Sequence, residues 1–120
     1  MKKLLMTTAI LFATACTPEQ IQAFRTIAEP YREVISPEQL YKLRLCESTD
    51  NYQATDKPAG RYRGAYQFDQ RTWDGVASRH FSWLEGVDPI GVEPWWQDLM
   101  AEALYSERGR APWPVCGKRI

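Results

Sequence analysis

The sequence predicts an α+β domain, mainly α, with a short β element and one disulfide. Three observations carry that expectation. Apolar residues recur at helical spacing behind clear helix starts, residues 49–66 lack any long period, and two cysteines stand far apart at Cys46 and Cys116. At 120 residues the chain supports one domain if most of its apolar side chains share one core. Hydrophobic residues at 44% and aromatics at 12% supply the material. The 15 basic and 15 acidic residues balance, which argues against a nucleic-acid partner, because phosphate binding normally leaves a basic excess. The local Arg61-Tyr62-Arg63 cluster reads as a solvated turn.

Residues 1–15 read as a signal peptide. Lys2 and Lys3 form a positive start, Leu4 to Ala15 an uncharged and mostly apolar run, and Ala13-Thr14-Ala15 places small residues before Cys16. As a helix the run reaches about 18 Å, short of a hydrocarbon core of about 30 Å. Removing the two lysines leaves 13 basic residues against 15 acidic. The 3 cysteines are an odd number for an exported protein. Two readings follow for Cys16: lipidation, as in bacterial lipoproteins, or an ordinary signal cut nearby. Ala13 stands where a lipoprotein signal usually has leucine, but lipidation removes Cys16 from the count and leaves Cys46 to pair with Cys116. A bridge closing a loop of about 70 residues contributes roughly 4 kcal/mol in the chain-entropy model, and an oxidising compartment permits it. The alternative is two buried free thiols.

Residues 16–35 read as a lead-in helix or tether and residues 36–120 as the domain. Thr17-Pro18-Glu19-Gln20 and Ser36-Pro37-Glu38-Gln39 are both helix starts, each with a hydroxyl N-cap, proline at N1 and glutamine at N3. The first helix carries Ile21, Phe24, Ile27 and Ala28 on one face, and Pro30 stops or kinks it. The second carries Leu40, Leu43 and Glu47 on one stripe. A carboxylate there is a functional group or a costly error, since desolvation disfavours its charged form. Tyr62, Ala65, Tyr66 and Phe68 are candidates for short strands or an extended hairpin. Asp69 caps a helix over 70–79 with Trp73, Val76 and Ala77 inward. A last helix over 94–107 places Trp96, Leu99, Met100, Ala103 and Leu104 on one face, ended by Gly109, with the tail from Pro112 running back toward Cys46.

Four short stretches resemble the resuscitation-promoting factor domain, a transglycosylase-like relative of lysozyme. Cys46-Glu47-Ser48 with Asn51 and Tyr52 is similar to its Cys-Glu-Ser-Gly-Gly-Asn-Trp start. Tyr62, Gly64, Gln67 and Phe68 resemble its Tyr-x-Gly-x-x-Gln-Phe stretch, Thr72-Trp73 the Thr-Trp that follows, and Trp113-Pro114-Val115-Cys116 its closing Trp-Pro-x-Cys. Thr49-Asp50 replaces the Gly-Gly, the loop before Tyr62 is about two residues longer, and residues 81–94 depart. The resemblance implies a small lysozyme-like fold and an enzyme that cleaves peptidoglycan glycan strands between N-acetylmuramic acid and N-acetylglucosamine. Glu47 is then the catalytic acid, which an apolar setting keeps protonated near neutral pH.

The family offers no second carboxylate; Asp50, Asp56 and Asp69 are the nearby candidates, with Asp69 better explained as a cap. Asn51 and Gln67 are expected to hold sugar amides and hydroxyls, and Tyr62 and Tyr66 to wall the sugar faces. An Arg63–Glu47 ion pair is the structural alternative. Trp73, Trp96 and Trp113 read as core, while Trp95 is a candidate for glycan contact. No His/Cys/Asp cluster around the lone His80 has metal-ligand spacing, and no cofactor or metal is expected. The expected setting is the cell envelope or the medium, with a possible lipid anchor and a possible partner wall hydrolase. The competing class is a non-catalytic envelope lipoprotein that binds glycan strands or another wall enzyme.

Overall fold

The computed structural model describes residues 17–31, 34–57 and 60–120. The expected signal peptide over 1–15 and the lipidation site Cys16 lie outside them. The chain divides into two units, Met1–Pro30 and Tyr31–Ile120. The first holds helix α1, Pro18–Ala28, started by a complete capping box: the Thr17 hydroxyl accepts from Gln20 N and the Gln20 side chain accepts from Thr17 N. A single 3-10 turn, Glu29–Tyr31, follows at Pro30. Among the described residues no helix is long and apolar enough to cross a membrane.

The second unit carries α2 (Pro37–Ser48), α3 (Gln70–His80) and α4 (Pro94–Arg108); an irregular segment joins α2 to α3, and two short 3-10 turns lie between α3 and α4. Its packing begins before Ser36, where the sequence placed the domain. Ile35 is 2% exposed, and the Tyr31 ring packs edge-on against Phe81 at 5.5 Å. Ser36 repeats the capping box at α2, and the Asp69 carboxylate accepts from Thr72 N at α3, so both helix starts follow from their cap chemistry. Leu43 from α2, Trp73, Val76 and Ala77 from α3, and Leu99, Met100 and Ala103 from α4 are fully buried and form the core. The disulfide Cys46–Cys116 ties the last turn of α2 to the C-terminal 3-10 turn Cys116–Arg119, with 5.7 Å between the Cα atoms.

The expected strands over 62–68 are reduced to isolated antiparallel bridges, Thr55 with Arg63 and Arg63 with Phe68. The reason is local. Gly64 and Gln67 both adopt left-handed backbone, at φ 85° and 55°, so the chain reverses between Arg63 and Phe68 before a ladder can extend. This turn is held from beneath by Gln97 on α4, a buried polar side chain that the sequence reading passed over. Its Oε1 accepts from Ala65 N at 2.9 Å and its Nε2 donates to Tyr52 O at 3.0 Å. A Cβ at position 64 would stand 2.4 Å from the same Oε1, so glycine is required there for space as well as for φ. Gln97→Ala strands a buried N–H and a part-buried carbonyl, and is expected to lower unfolding free energy by about 2–4 kcal/mol. Urea unfolding at unchanged m-value is the measurement; a loss under 1 kcal/mol would show that the turn holds itself.

Candidate active site

Glu47 stands in the last turn of α2, and the geometry there depends on how the helix ends. Thr49 and Asp50 are both left-handed, at φ 57° and 60°. They occupy the two positions where the resembling family has Gly-Gly. For non-glycine residues that conformation costs roughly 1–2 kcal/mol each, and for a β-branched threonine it is unusual. The offset is visible in the bonds made. Asp50 N reaches back to Arg44 O at 3.1 Å, and the Asp50 carboxylate accepts from Arg44 Nε at 2.7 Å. The Ser48 hydroxyl donates to Ala65 O at 2.8 Å and accepts from Asn51 N at 3.0 Å. The end of α2 is thus fastened to the 63–68 turn.

Arg44 organises the protein side of this region. Its guanidinium lies 5.4 Å from the Tyr52 ring centroid, 5.6 Å from that of Tyr41 and 5.9 Å from that of Tyr66. Nη1 donates to the Tyr66 hydroxyl, and the Asp98 carboxylate accepts from the hydroxyls of Tyr52 at 2.7 Å and Tyr66 at 2.6 Å. Burial, reinforced by Asp98, pushes both phenols well above their ordinary pKa, so both stay protonated donors.

Glu47 itself opens onto a cleft of about 330 Å³. Tyr62 and Gln67 line one part of it, and Trp113, Pro114 and Val115 from the C-terminal tail line another. Trp113 is buried and donates through Nε1 to Tyr66 O at 3.1 Å, while Cys116 is bridged to the residue before Glu47. The Glu47 carboxylate is half-buried and makes no hydrogen bond or ion pair with another described residue. Desolvation raises its pKa above the usual carboxylate value. It is the one carboxylate among the described residues lining this cleft. The other acids near it in sequence are committed elsewhere: Asp50 to Arg44, Asp56 to Tyr62 N at 2.6 Å, Asp69 to the start of α3. Arg63, the candidate ion-pair partner, is instead engaged by Asp88 through two 2.8 Å bonds.

The remaining candidates divide. Gln67 and Tyr62 line the cleft with Glu47; Gln67 Nε2 donates to Gly64 O at 3.0 Å, and one face of the exposed Tyr62 ring is covered by the Arg61 guanidinium at 5.3 Å. Asn51 is exposed, turns its Oδ1 onto Gln53 N at 2.9 Å, and does not line the cleft. Tyr66 is 1% exposed and its hydroxyl is shared between Arg44 and Asp98, so it supports the cleft from behind; it lines the neighbouring groove and not the Glu47 cleft. Tyr66→Phe is therefore expected to lose about 1–2 kcal/mol of stability with turnover reduced less than threefold. A larger loss of turnover at unchanged stability would return Tyr66 to direct contact.

Trp73 and Trp113 are core as expected, at 0% and 4% exposed, whereas Trp96 is partly exposed and packs edge-on to Trp83 at 5.8 Å. Trp95 is 38% exposed and does not line the Glu47 cleft. His80 is taken up between the Tyr31 hydroxyl and Glu107. Among the described residues, no group of His, Cys, Asp and Glu is arranged to hold a metal.

A small helical domain closed by one disulfide, with a single desolvated carboxyl in an open cleft, defines the class of fold and site. The family is then given directly: the transglycosylase-like domain model matches residues 36–116, and the chain belongs to that family. Comparisons with curated proteins and with solved structures returned no match. Membership makes this a peptidoglycan-acting domain of lytic transglycosylase type, with wall glycan as its substrate class. Such a substrate and the disulfide both accord with an extracellular or envelope setting.

Proposed function

We propose that the protein is an exported enzyme that cleaves the bond between N-acetylmuramic acid and N-acetylglucosamine, with Glu47 as general acid and then base. Protonated Glu47 gives its proton to the glycosidic oxygen as the C1–O bond breaks and the N-acetylglucosamine hydroxyl departs. The resulting carboxylate takes a proton from the hydroxyl or water that attacks C1. The carrying observation is that, among the described residues, Glu47 is the cleft's lone carboxylate and is desolvated without a cation lining the cleft beside it. With no second carboxylate lining the cleft, the substrate's own N-acetyl oxygen is the group available to assist at C1. Gln67 and the uncovered face of Tyr62 hold the sugar.

Residues 1–15 act as the export signal, with Cys16 acylated or the leader cut near it. The test is incubation with purified peptidoglycan and mass spectrometry of the soluble muropeptides. Anhydro ends identify attack by a sugar hydroxyl, and reducing ends attack by water. Absence of any soluble product would leave the chain as a glycan-binding envelope protein.

A further inference from the structure

We propose that the Glu47 cleft continues into a second groove that reads the peptide stem of the wall strand, with Arg108 as the group that accepts a stem carboxylate. The inference rests on the glycan-cleaving reading and adds a specificity-determining residue to it. The second groove, of about 340 Å³, shares Tyr62, Gln67, Pro112, Trp113 and Pro114 with the Glu47 cleft, so the two adjoin. Beyond the shared stretch, α4 contributes Leu104 and Arg108, and the start of α3 contributes Asp69 and Thr72.

Arg108 is the only cation among the described residues lining either groove. It is exposed, and its guanidinium makes no hydrogen bond or ion pair with another described residue. Arg44, Arg63 and Arg79 each have a carboxylate partner. The groove's own acid, Asp69, spends its Oδ1 on Thr72 N at 2.7 Å. An arginine in the last turn of a helix complements the helix dipole, which accounts for its place in the sequence. It does not account for a side chain that lines a groove leading from the candidate acid.

The substrate chemistry supplies the partner. The amino-sugar backbone is neutral at its hydroxyls and acetamides, while peptide stems carried on the lactyl groups of muramic acid end in carboxylates. A guanidinium takes a carboxylate through two parallel N–H donors, so a strand threaded past Glu47 can place a stem on Arg108.

The test compares stem-bearing peptidoglycan, freed of other anionic polymers, with the same strands stripped of stems by an amidase, the lactyl carboxylates that this frees being capped as methylamides. In a Glu47→Gln background, binding is read without turnover. Stem-bearing strands are expected to bind about tenfold tighter than stripped ones at low salt, with the preference shrinking as salt screens the charge. Adding Arg108→Gln should bring the two to near parity, with stripped-strand binding and thermal midpoint unchanged, and Arg108→Lys should restore part of the preference. In the otherwise native enzyme, Arg108→Gln should raise KM for stem-bearing strands with little change in kcat. An undiminished stem preference in Arg108→Gln, or equal binding of both substrates by the Glu47→Gln protein, overturns the inference. Absent turnover with the stem preference intact overturns the glycan-cleaving reading alone.

Discussion

Glu47→Gln is expected to lower the release of soluble muropeptides by about 10²- to 10⁴-fold, the contribution of a positioned general acid. The fold should be untouched, because the carboxylate has no partner to lose and glutamine has nearly its shape. Stability should respond to pH in a particular direction. Burial raises the folded pKa above the unfolded one, so the protonated acid is the form that the fold favours. That stabilisation is fully present below the ordinary carboxyl pKa of 4.5 and is lost as pH rises through the raised value. The thermal midpoint of Glu47→Gln should therefore match the native protein's at pH 4 and equal or exceed it at pH 7. Native activity should fall on the alkaline side through the same raised pKa, where the acid has given up its proton. Turnover comparable to native in the variant would remove Glu47 from the assignment.

The second large effect is on stability. Replacing both Cys46 and Cys116 with alanine opens a loop whose ends are separated by 70 in sequence, and is expected to cost about 4 kcal/mol. For a unit of this size the thermal midpoint should fall by about 15–30 °C. Activity should fall as well, at temperatures where the variant is still folded, because the bridge joins the Glu47 side of the cleft to the tail that walls it. Calorimetry and the muropeptide assay measure the two effects separately. A midpoint drop of only a few degrees would show that Trp113, buried against Tyr66, holds the tail unaided.

The helices were legible because their signals are local. Thr17, Ser36 and Asp69 each accept from the N3 backbone, as their cap chemistry demands, and Gly109 ends α4 as expected. Glu47 stood out because a carboxylate on an apolar stripe is physically conspicuous. What the sequence did not disclose are pairings fixed only in three dimensions. Gln97 reads as an ordinary polar residue of a helix until Ala65 N and Tyr52 O are seen to converge on it. Nor does its spacing mark Tyr66 as buried, because aromatic residues of a period-free segment give no face. The strands failed for a backbone reason. Gly64 hinted at a turn, but left-handed backbone at Gln67 comes from the turn as a whole and not from glutamine's own preference. Thr49-Asp50 was visible as a departure from Gly-Gly; its meaning, two left-handed residues held by Arg44, was not.

The cleft joins Glu47 to a wall built from residues 112–116, far later in the sequence. The site therefore exists only once these two segments have met. The loop between its two sides must close before the carboxyl has a desolvating wall, and closure over such a distance is slow beside the formation of any single helix. A chain released or clipped before Pro112 keeps Glu47, α2 and both later helices, yet has neither the tail wall nor Cys116. Its carboxyl then loses the wall that desolvates it, and with it part of the cause of its raised pKa. On the proposed mechanism, forms clipped before Pro112 are expected to be inert, because the acid and its wall come from segments far apart in sequence.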